Sequence, residues 1–237
     1  MASKPRTPTD PWCDAVAHLR ALDADWATLI DRVGPCVIRP RTDRFGTLVR
    51  AIIGQQISSK AATSIDAKLK ALTGDPHTPA PLIELGEAGL RSVGLSGVKA
   101  RYVLNLSEAV ATGSVSIGTI HELDDDAIVA NLTAIKGVGV WTAEMFLIFA
   151  LSRPDVLPVG DLGVRAAIRD RYGLPDLPKP EACRALAEPW RPFRSVASWY
   201  LWRSLDPAFK DVPPATSVPP APPKPKRNRT TRASDPT

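Results

Sequence analysis

The chain has few cysteines, and no stretch of it alternates apolar and polar residues as a half-exposed β-strand does. Its three cysteines, Cys13, Cys36 and Cys183, lie far apart, and none has the spacing of a zinc site or an iron–sulfur cluster. No apolar run has the length of a membrane span, and the opening MASKPRTPTD lacks the apolar stretch of a secretory signal. We therefore expect reduced thiols, no iron–sulfur cluster, no membrane partner and an intracellular location.

The excess of positive charge is confined to the two ends of the chain. The formal net charge is +5, of which residues 1–9 carry +2 and residues 207–237 carry +4, so the body between them has −1. Net charge alone therefore does not make the body a DNA-binding protein. Such a role would depend on local basic patches and on backbone amides.

The middle of the chain has the pattern of a helical protein. Between residues 10 and 206, apolar residues recur with helical periodicity, and glycine or proline separates the segments. Asp10 and Pro11 are expected to begin the first helix, and residues 38–42 (IRPRT) are expected to form a loop. Residues 1–9 and the proline-rich, basic residues 207–237 have little to bury, so both ends are predicted to be disordered. The tail is either merely solvated or weakly attracted to DNA in a salt-sensitive way.

Residues 132–161 carry the strongest functional signal. Gly137 and Gly139 permit positive φ and lie between two apolar helices, the first capped by Asp124 or Asp125 and the second opening at Thr142. Free amides at the N-terminus of a helix attract anions. From the residues alone, this segment is either a phosphate-binding hairpin or an ordinary turn between two core helices.

The hairpin of residues 132–146 resembles the LxxIxGVGxxTA motif of the helix-hairpin-helix superfamily of DNA glycosylases. Residues 156–167 (VLPVGDLGVRAA) resemble the catalytic loop of the 3-methyladenine DNA glycosylase II branch. Three further segments match that branch in the same order, at residues 48–69, 90–110 and 189–205. The resemblance implies an all-α fold of two helical lobes with a cleft between them, and a monomer that binds double-stranded DNA containing alkylated bases.

Asp161 is the candidate catalytic residue. It directly precedes an apolar helix, so it can serve as an N-cap, a position at which aspartate is strongly preferred. The catalytic aspartate of the family lies at the start of this same helix, and the resemblance therefore implies that Asp161 has both roles. Its carboxylate would stabilise the positive charge that develops on the sugar, and would orient or deprotonate the attacking water.

Trp141 distinguishes this chain from the bifunctional relatives of the endonuclease III and oxoguanine types. In those relatives a lysine precedes the Thr-Ala of the hairpin and forms a Schiff base with the sugar. This chain has Trp141 there, while Lys136 lies before the glycines. The resemblance therefore implies a monofunctional enzyme that uses water.

Trp141 and Trp202 are also the candidates for a base pocket. An electron-rich indole attracts a cationic ring by about 0.5–2 kcal/mol, which suits N-alkylated purines. Packing in the core is the alternative for both residues, and it is the interpretation we give to Trp190 and Trp199.

The remaining candidates concern DNA binding. Gly137, Gly139 and Thr142 belong to the phosphate-binding hairpin. Gln56 matches the family residue that fills the hole left by a flipped nucleotide, although an amide on a helix surface is the alternative. A Na⁺ or K⁺ ion held by the backbone carbonyls of the hairpin is also implied by the resemblance, with no other cofactor required. Those carbonyls belong to Thr133, Ile135 and Val138.

The resemblance therefore implies a monofunctional DNA glycosylase of base excision repair, acting on alkylated purines such as 3-methyladenine and 7-methylguanine. Two alternatives remain open: a mismatch uracil or thymine DNA glycosylase, and a non-catalytic DNA-binding module. The expected location is the cytoplasm, with the nucleoid, in a bacterium, or the nucleus in a eukaryote.

Overall fold

The computed structural model describes residues 11–209, and within this range it consists of α-helices joined by short loops, with no β-strand. The prediction of an all-α fold is confirmed. The predictions of disorder concern residues 1–9 and 207–237, which lie outside the described residues except for a 3₁₀ turn at Pro207–Phe209.

Eleven α-helices are present within the described residues. In chain order they are α1 (Cys13–Leu22), α2 (Ala24–Val33), α3 (Arg44–Gly54), α4 (Ser59–Thr73), α5 (Pro79–Ser92), α6 (Gly97–Ala111), α7 (Asp125–Thr133), α8 (Val140–Phe149), α9 (Leu162–Arg171), α10 (Pro180–Leu186) and α11 (Arg194–Ser204). Two further 3₁₀ turns lie at Ile120–Glu122 and Glu188–Trp190.

The helices form two lobes. Helices α3–α8 make up the middle lobe, in which α3 packs against α4, α6 and α8 because its residues are apolar on most sides. The outer lobe combines both ends of the described chain, with α1 and α2 packed against α11 and α9 against α11. A continuous core of buried residues runs through both lobes. The two lobes meet where side chains of α8 and α11 contact Asp161, the residue directly before α9.

An aromatic cluster joins the early helices of the outer lobe to its late helices. The rings of Trp26 and Trp190 meet edge to face, with centroids 5.5 Å apart. The guanidinium of Arg171 lies 4.3 Å above the Trp26 ring and donates to Asp23 at 2.6 Å. These contacts connect α2 to α9, the helix that directly follows the candidate catalytic residue Asp161.

The hairpin segment agrees with the sequence in most respects. Of the two predicted caps, Asp124 is the N-cap of α7, where it accepts the Ala127 amide at 2.7 Å. Helix α8 begins at Val140, two residues before the predicted Thr142, because the chain is already helical directly after Gly139.

The start of the first helix also differs from the prediction. Helix α1 begins at Cys13 with Trp12 as its N-cap, rather than at Pro11, and Asp10 lies outside the described residues. Residues 38–42 form neither helix nor strand, so the predicted loop is confirmed.

Candidate active site

Asp161 lies at the N-terminus of α9. Its Oδ1 accepts the backbone amide of Val164 at 2.8 Å, which is the N-cap hydrogen bond expected from the sequence. The side chain is half-buried rather than sealed in the core. Asp161 can therefore cap the helix while its carboxylate lies at the boundary of the two lobes, partly accessible to solvent.

Both tryptophans predicted for the base pocket contact Asp161. Nε1 of Trp141, on α8, donates to Oδ2 at 2.7 Å, and Nε1 of Trp202, on α11, donates to Oδ1 at 2.9 Å. Because the two helices belong to different lobes, the three side chains meet only where the lobes are packed together. The structure thus brings the predicted residues together and adds a function for the indoles, since they fix the carboxylate on both of its oxygens.

Gly163 and Phe149 complete this cluster, and neither was predicted. A Cβ atom on Gly163 would lie 3.0 Å from Oδ1 of Asp161 and 3.2 Å from Cδ1 of Trp202, so a larger residue would press on both. The ring of Phe149 lies 5.6 Å from that of Trp202, tilted by 31°. The glycine in the first turn of a helix was the available signal, because glycine is unfavourable there unless packing requires it.

Gly137 and Gly139 differ in what they do for the hairpin. Gly137 has φ +104°, and a Cβ atom there would lie 2.1 Å from Cγ of Tyr102, so conformation and space both require glycine. Gly139 has φ −90° as the N-cap of α8, so it does not adopt the positive φ that glycine permits. A Cβ atom on Gly139 would meet nothing within 4 Å, which leaves open space beside the amides that begin α8.

Thr142 has a role inside the protein. Its side chain is buried, with 1% exposure, and its hydroxyl accepts a hydrogen bond from Nε2 of Gln55 at 3.1 Å. The same amide nitrogen donates to the carbonyl of Gly137 at 3.2 Å. Gln55, which was not predicted, therefore connects the end of α3 to the hairpin.

Gln56 lies in the turn that follows α3, not on the surface of the helix. It is exposed and has φ +56°, a left-handed conformation that a residue with a side chain rarely adopts. Ile57, directly after it, is also exposed, at 38%. The turn therefore presents one amide and one apolar side chain to solvent.

Backbone carbonyls next to the candidate cation ligands already accept hydrogen bonds from side chains. The carbonyl of Lys136 accepts Nδ2 of Asn105 at 2.9 Å, and that of Gly137 accepts Gln55. The carbonyl of Ile135 accepts the amide of Val138 at 3.0 Å, and a carbonyl oxygen has a second lone pair. Of the predicted set of Thr133, Ile135 and Val138, the carbonyl of Ile135 therefore keeps one lone pair after its bond within the hairpin.

Glu144 is a titratable group near the cluster that the sequence did not indicate. Burial raises its pKa from 4.5 to about 7, the positive charge of Arg184 opposes this shift, and the negative charge of Asp161 adds to it. The carboxyl is therefore partly protonated near neutral pH.

The other sequence predictions concern residues away from this cluster. Trp190 and Trp199 are buried in the core, as predicted. Cys13 is exposed, Cys36 and Cys183 are buried, and the described residues contain no group of three or more His, Cys, Asp or Glu side chains placed to hold a metal ion. Within residues 11–209, no helix combines the length and apolar character needed to span a membrane.

Comparison with known proteins identifies the family. The model of the HhH-GPD superfamily of base excision DNA repair proteins matches residues 49–192. DNA-3-methyladenine glycosylase 1 of Schizosaccharomyces pombe is 34% identical over 196 residues, covering 80% of this chain and 86% of its own length. The alkylbase DNA glycosidase-like protein mag2 of the same organism is 31% identical over 195 residues, covering 80% of this chain and 92% of its own length.

Solved structures agree with this match. The 3-methyladenine DNA glycosylase of Schizosaccharomyces pombe in complex with abasic DNA has a TM-score of 0.75 and 34% identity, covering 81% of this chain and 96% of that one. A DNA-3-methyladenine glycosidase from Bacillus halodurans has a TM-score of 0.68 and 30% identity, covering 87% of this chain and 93% of that one. The chain therefore belongs to the HhH-GPD superfamily of base excision DNA repair proteins.

Proposed function

We propose that the protein is a monofunctional DNA glycosylase of base excision repair that releases N-alkylated purines, such as 3-methyladenine and 7-methylguanine, from double-stranded DNA. The observation that carries the proposal is the pair of indole hydrogen bonds on Asp161, from Trp141 and Trp202. This arrangement combines a fixed negative charge with aromatic rings that suit a flat, cationic base. The relatives named as 3-methyladenine DNA glycosylases support the same assignment.

The reaction follows from the charge of the substrate and the position of Asp161. An N-alkylated purine is already cationic, so when the glycosidic bond breaks its electron pair leaves with the base, which becomes neutral. The sugar is left with an oxocarbenium-like positive charge, and the carboxylate of Asp161 stabilises that charge. Water then bonds to C1′ and gives its proton to the carboxylate or to solvent, which leaves an abasic site.

Selection among bases follows from the same chemistry. A neutral base such as uracil leaves as an anion, so its departure needs hydrogen-bond donors aimed at the ring. In this site the indole N–H groups of Trp141 and Trp202 already donate to Asp161. Charge and leaving-group ability should therefore decide which bases are released, more than their hydrogen-bonding pattern.

The partners and the location are proposed on the same basis. The protein acts on DNA as a single copy, and the hairpin holds a Na⁺ or K⁺ ion through the carbonyls of Thr133, Ile135 and Val138. Such an ion is the kind that carbonyl oxygens bind, and it would add positive charge beside a DNA phosphate. An enzyme with this substrate works where chromosomal DNA is, at the nucleoid of a bacterium or in the nucleus of a eukaryote.

The test is single-turnover base release from a panel of otherwise identical duplexes, together with methylated DNA as the source of 3-methyladenine. We expect rapid release of 3-methyladenine, detectable release of 7-methylguanine, and poor release of uracil, thymine and 8-oxoguanine. Preferred release of uracil or mismatched thymine would replace the proposal with a mismatch glycosylase. Binding of DNA without release of any base would replace it with a non-catalytic DNA-binding module.

A further inference from the structure

The turn after α3 is exposed, and its backbone is unfavourable by itself. Gln56 has φ +56° at a residue that is not glycine, and both Gln56 and Ile57 are open to solvent. A residue in the left-handed region persists only when the surrounding structure holds it there. The contacts that hold this turn therefore decide where its two side chains lie.

Lys99, in the first helical turn of α6, makes contacts that hold the segment after α3 in place. Its Nζ donates to the carbonyl of Ile53 at 2.8 Å and to that of Gln55 at 2.5 Å. Burial lowers the pKa of Lys99, and its ammonium has no carboxylate partner among the ion pairs of residues 11–209. The half-buried ammonium of Lys99 therefore binds carbonyls at the C-terminal end of α3, which the helix dipole makes negative.

The same helix also supports the hairpin. The ring of Tyr102 occupies the space that a Cβ atom on Gly137 would need, and Asn105 donates to the carbonyl of Lys136. Gln55 completes the connection by donating to the carbonyl of Gly137 and to Thr142. Helix α6 and Gln55 therefore join the Gln56 turn and the hairpin into one unit.

We propose that Lys99 is a positioning residue for DNA distortion, which holds the Gln56–Ile57 turn at a fixed distance from the hairpin so that the turn enters the duplex while the hairpin holds the phosphates. The inference rests on the proposed DNA glycosylase function. Its physical basis is that filling the gap left by an extruded nucleotide offsets the cost of unstacking only if the inserted side chains are already in place.

Two simpler roles make different predictions. If Lys99 contacted a DNA phosphate, its removal would weaken binding to undamaged DNA and reduce the salt dependence of that binding by about one counterion. If Lys99 only capped α3, its removal would lower the melting temperature and leave the distortion of bound DNA unchanged.

The experiment uses a duplex that contains a tetrahydrofuran abasic analogue opposite 2-aminopurine, whose fluorescence reports insertion next to the unpaired base. This readout needs no base release, so it works even if the assigned substrates are wrong. At saturating protein we expect the parent to change the fluorescence strongly and Lys99→Met to lose most of that change. Single-turnover release of 7-methylguanine should fall by roughly 10- to 100-fold, as expected from a small misplacement.

Control variants separate the effect of losing a positive charge from the effects of impaired folding and of a misplaced Gln56–Ile57 turn. Lys68 is exposed on α4 in the same lobe, so Lys68→Met removes the same charge and should leave fluorescence and release unchanged. Lys99→Arg keeps a cation with several donors and should restore a substantial part of the fluorescence change. If Lys99→Met does not fold, Lys99→Gln, which keeps a donating NH₂ group without the charge, should show the same loss in a milder form.

The proposal would be overturned by a folded Lys99 variant that distorts the tetrahydrofuran duplex as the parent does. It would also be overturned if the salt dependence of binding to undamaged DNA fell with the fluorescence change, since Lys99 would then be a phosphate contact. If no variant or parent released any base while the fluorescence differences persisted, the proposed function would fail and the role of Lys99 would stand.

Discussion

Nε1 of Trp202 lies 2.9 Å from Oδ1 of Asp161, the same oxygen that accepts the Val164 amide at the start of α9. Nε1 of Trp141 holds the other oxygen at 2.7 Å. The carboxylate is thus fixed by three N–H donors from three helices. Each of the two indoles that we propose to bind the damaged base therefore also orients the carboxylate of Asp161, whose negative charge would stabilise the sugar cation.

Replacing Asp161 by asparagine separates its two roles. Asparagine keeps an oxygen for the cap of α9, so the melting temperature should change by no more than a few degrees, although its amide NH₂ would face the N–H of Trp141. Without the negative charge, single-turnover release of 3-methyladenine should fall by about 10²- to 10³-fold or more. Asp170→Asn is the matched control, because Asp170 is exposed on the same helix and pairs with Arg169. Release at the parent rate by Asp161→Asn would refute the catalytic assignment.

Trp141→Phe and Trp141→Ala distinguish the hydrogen bond from the stacking surface. Phenylalanine retains an aromatic face but cannot donate to Asp161, so the rate of release should fall by about 10- to 100-fold with little change in DNA affinity. Alanine also removes the stacking surface, which is worth about 1–3 kcal/mol per base, so binding of the damaged duplex should weaken as well. Rates of single-turnover release from a 7-methylguanine duplex, measured as a function of protein concentration, would show the two effects. Equal losses in the two variants would mean that the hydrogen bond contributes everything and stacking nothing.

Incubation with abasic DNA and borohydride should yield no covalent complex. The reason is that Trp141 occupies the position of the lysine that forms a Schiff base in bifunctional relatives, and an indole cannot act as an amine nucleophile. The assay is gel electrophoresis of the reduced mixture, with a bifunctional glycosylase as the positive control. Efficient trapping that disappeared in Lys136→Ala would show that Lys136 had taken over the role and that the enzyme is not monofunctional.

Glu144 should make the stability of the protein depend on pH. Its pKa is 4.5 for the unperturbed group and about 7 in the folded protein, so the folded state binds more protons than the unfolded state between these values. Stability therefore falls as pH rises from about 4.5 to about 7. Glu144→Gln removes this dependence, and its melting temperature should gain on that of the parent between pH 5 and pH 8. Glu108→Gln, at an exposed position on α6, is the control and should show no such gain. A pH-independent difference for Glu144→Gln would contradict the raised pKa.

Local features of the chain were predictable because they depend on neighbouring residues. Asp124 and Asp161 have the residue type and position of N-caps, and both are N-caps in the structure. Gly137 has the left-handed conformation expected of a hairpin glycine. The resemblance implied that Trp141 and Trp202 line a base pocket, but it did not indicate which groups their indole nitrogens bind.

The same local pattern allows more than one geometry in the hairpin. Glycine permits positive φ at position 139, yet Gly139 has φ −90°, and the open space around it is what distinguishes it. Thr142 was predicted to belong to the DNA-binding hairpin, and the structure shows that its hydroxyl is bonded to Gln55 inside the protein. In both cases the motif specifies the residue type at a position, but it does not specify which groups that residue contacts.

The sequence by itself determined that this protein is helical and which aspartates cap α7 and α9, because periodicity and caps act over a few residues. The tertiary structure alone decided which of these residues meet. Trp141 and Trp202 reach Asp161 across 20 and 41 residues of chain, and Lys99 reaches Gln55 across 44. The burial that shifts the pKa of Glu144 is likewise a property of the packed lobes. Such contacts depend on how helices pack, and the packing is set by the whole core rather than by any one segment.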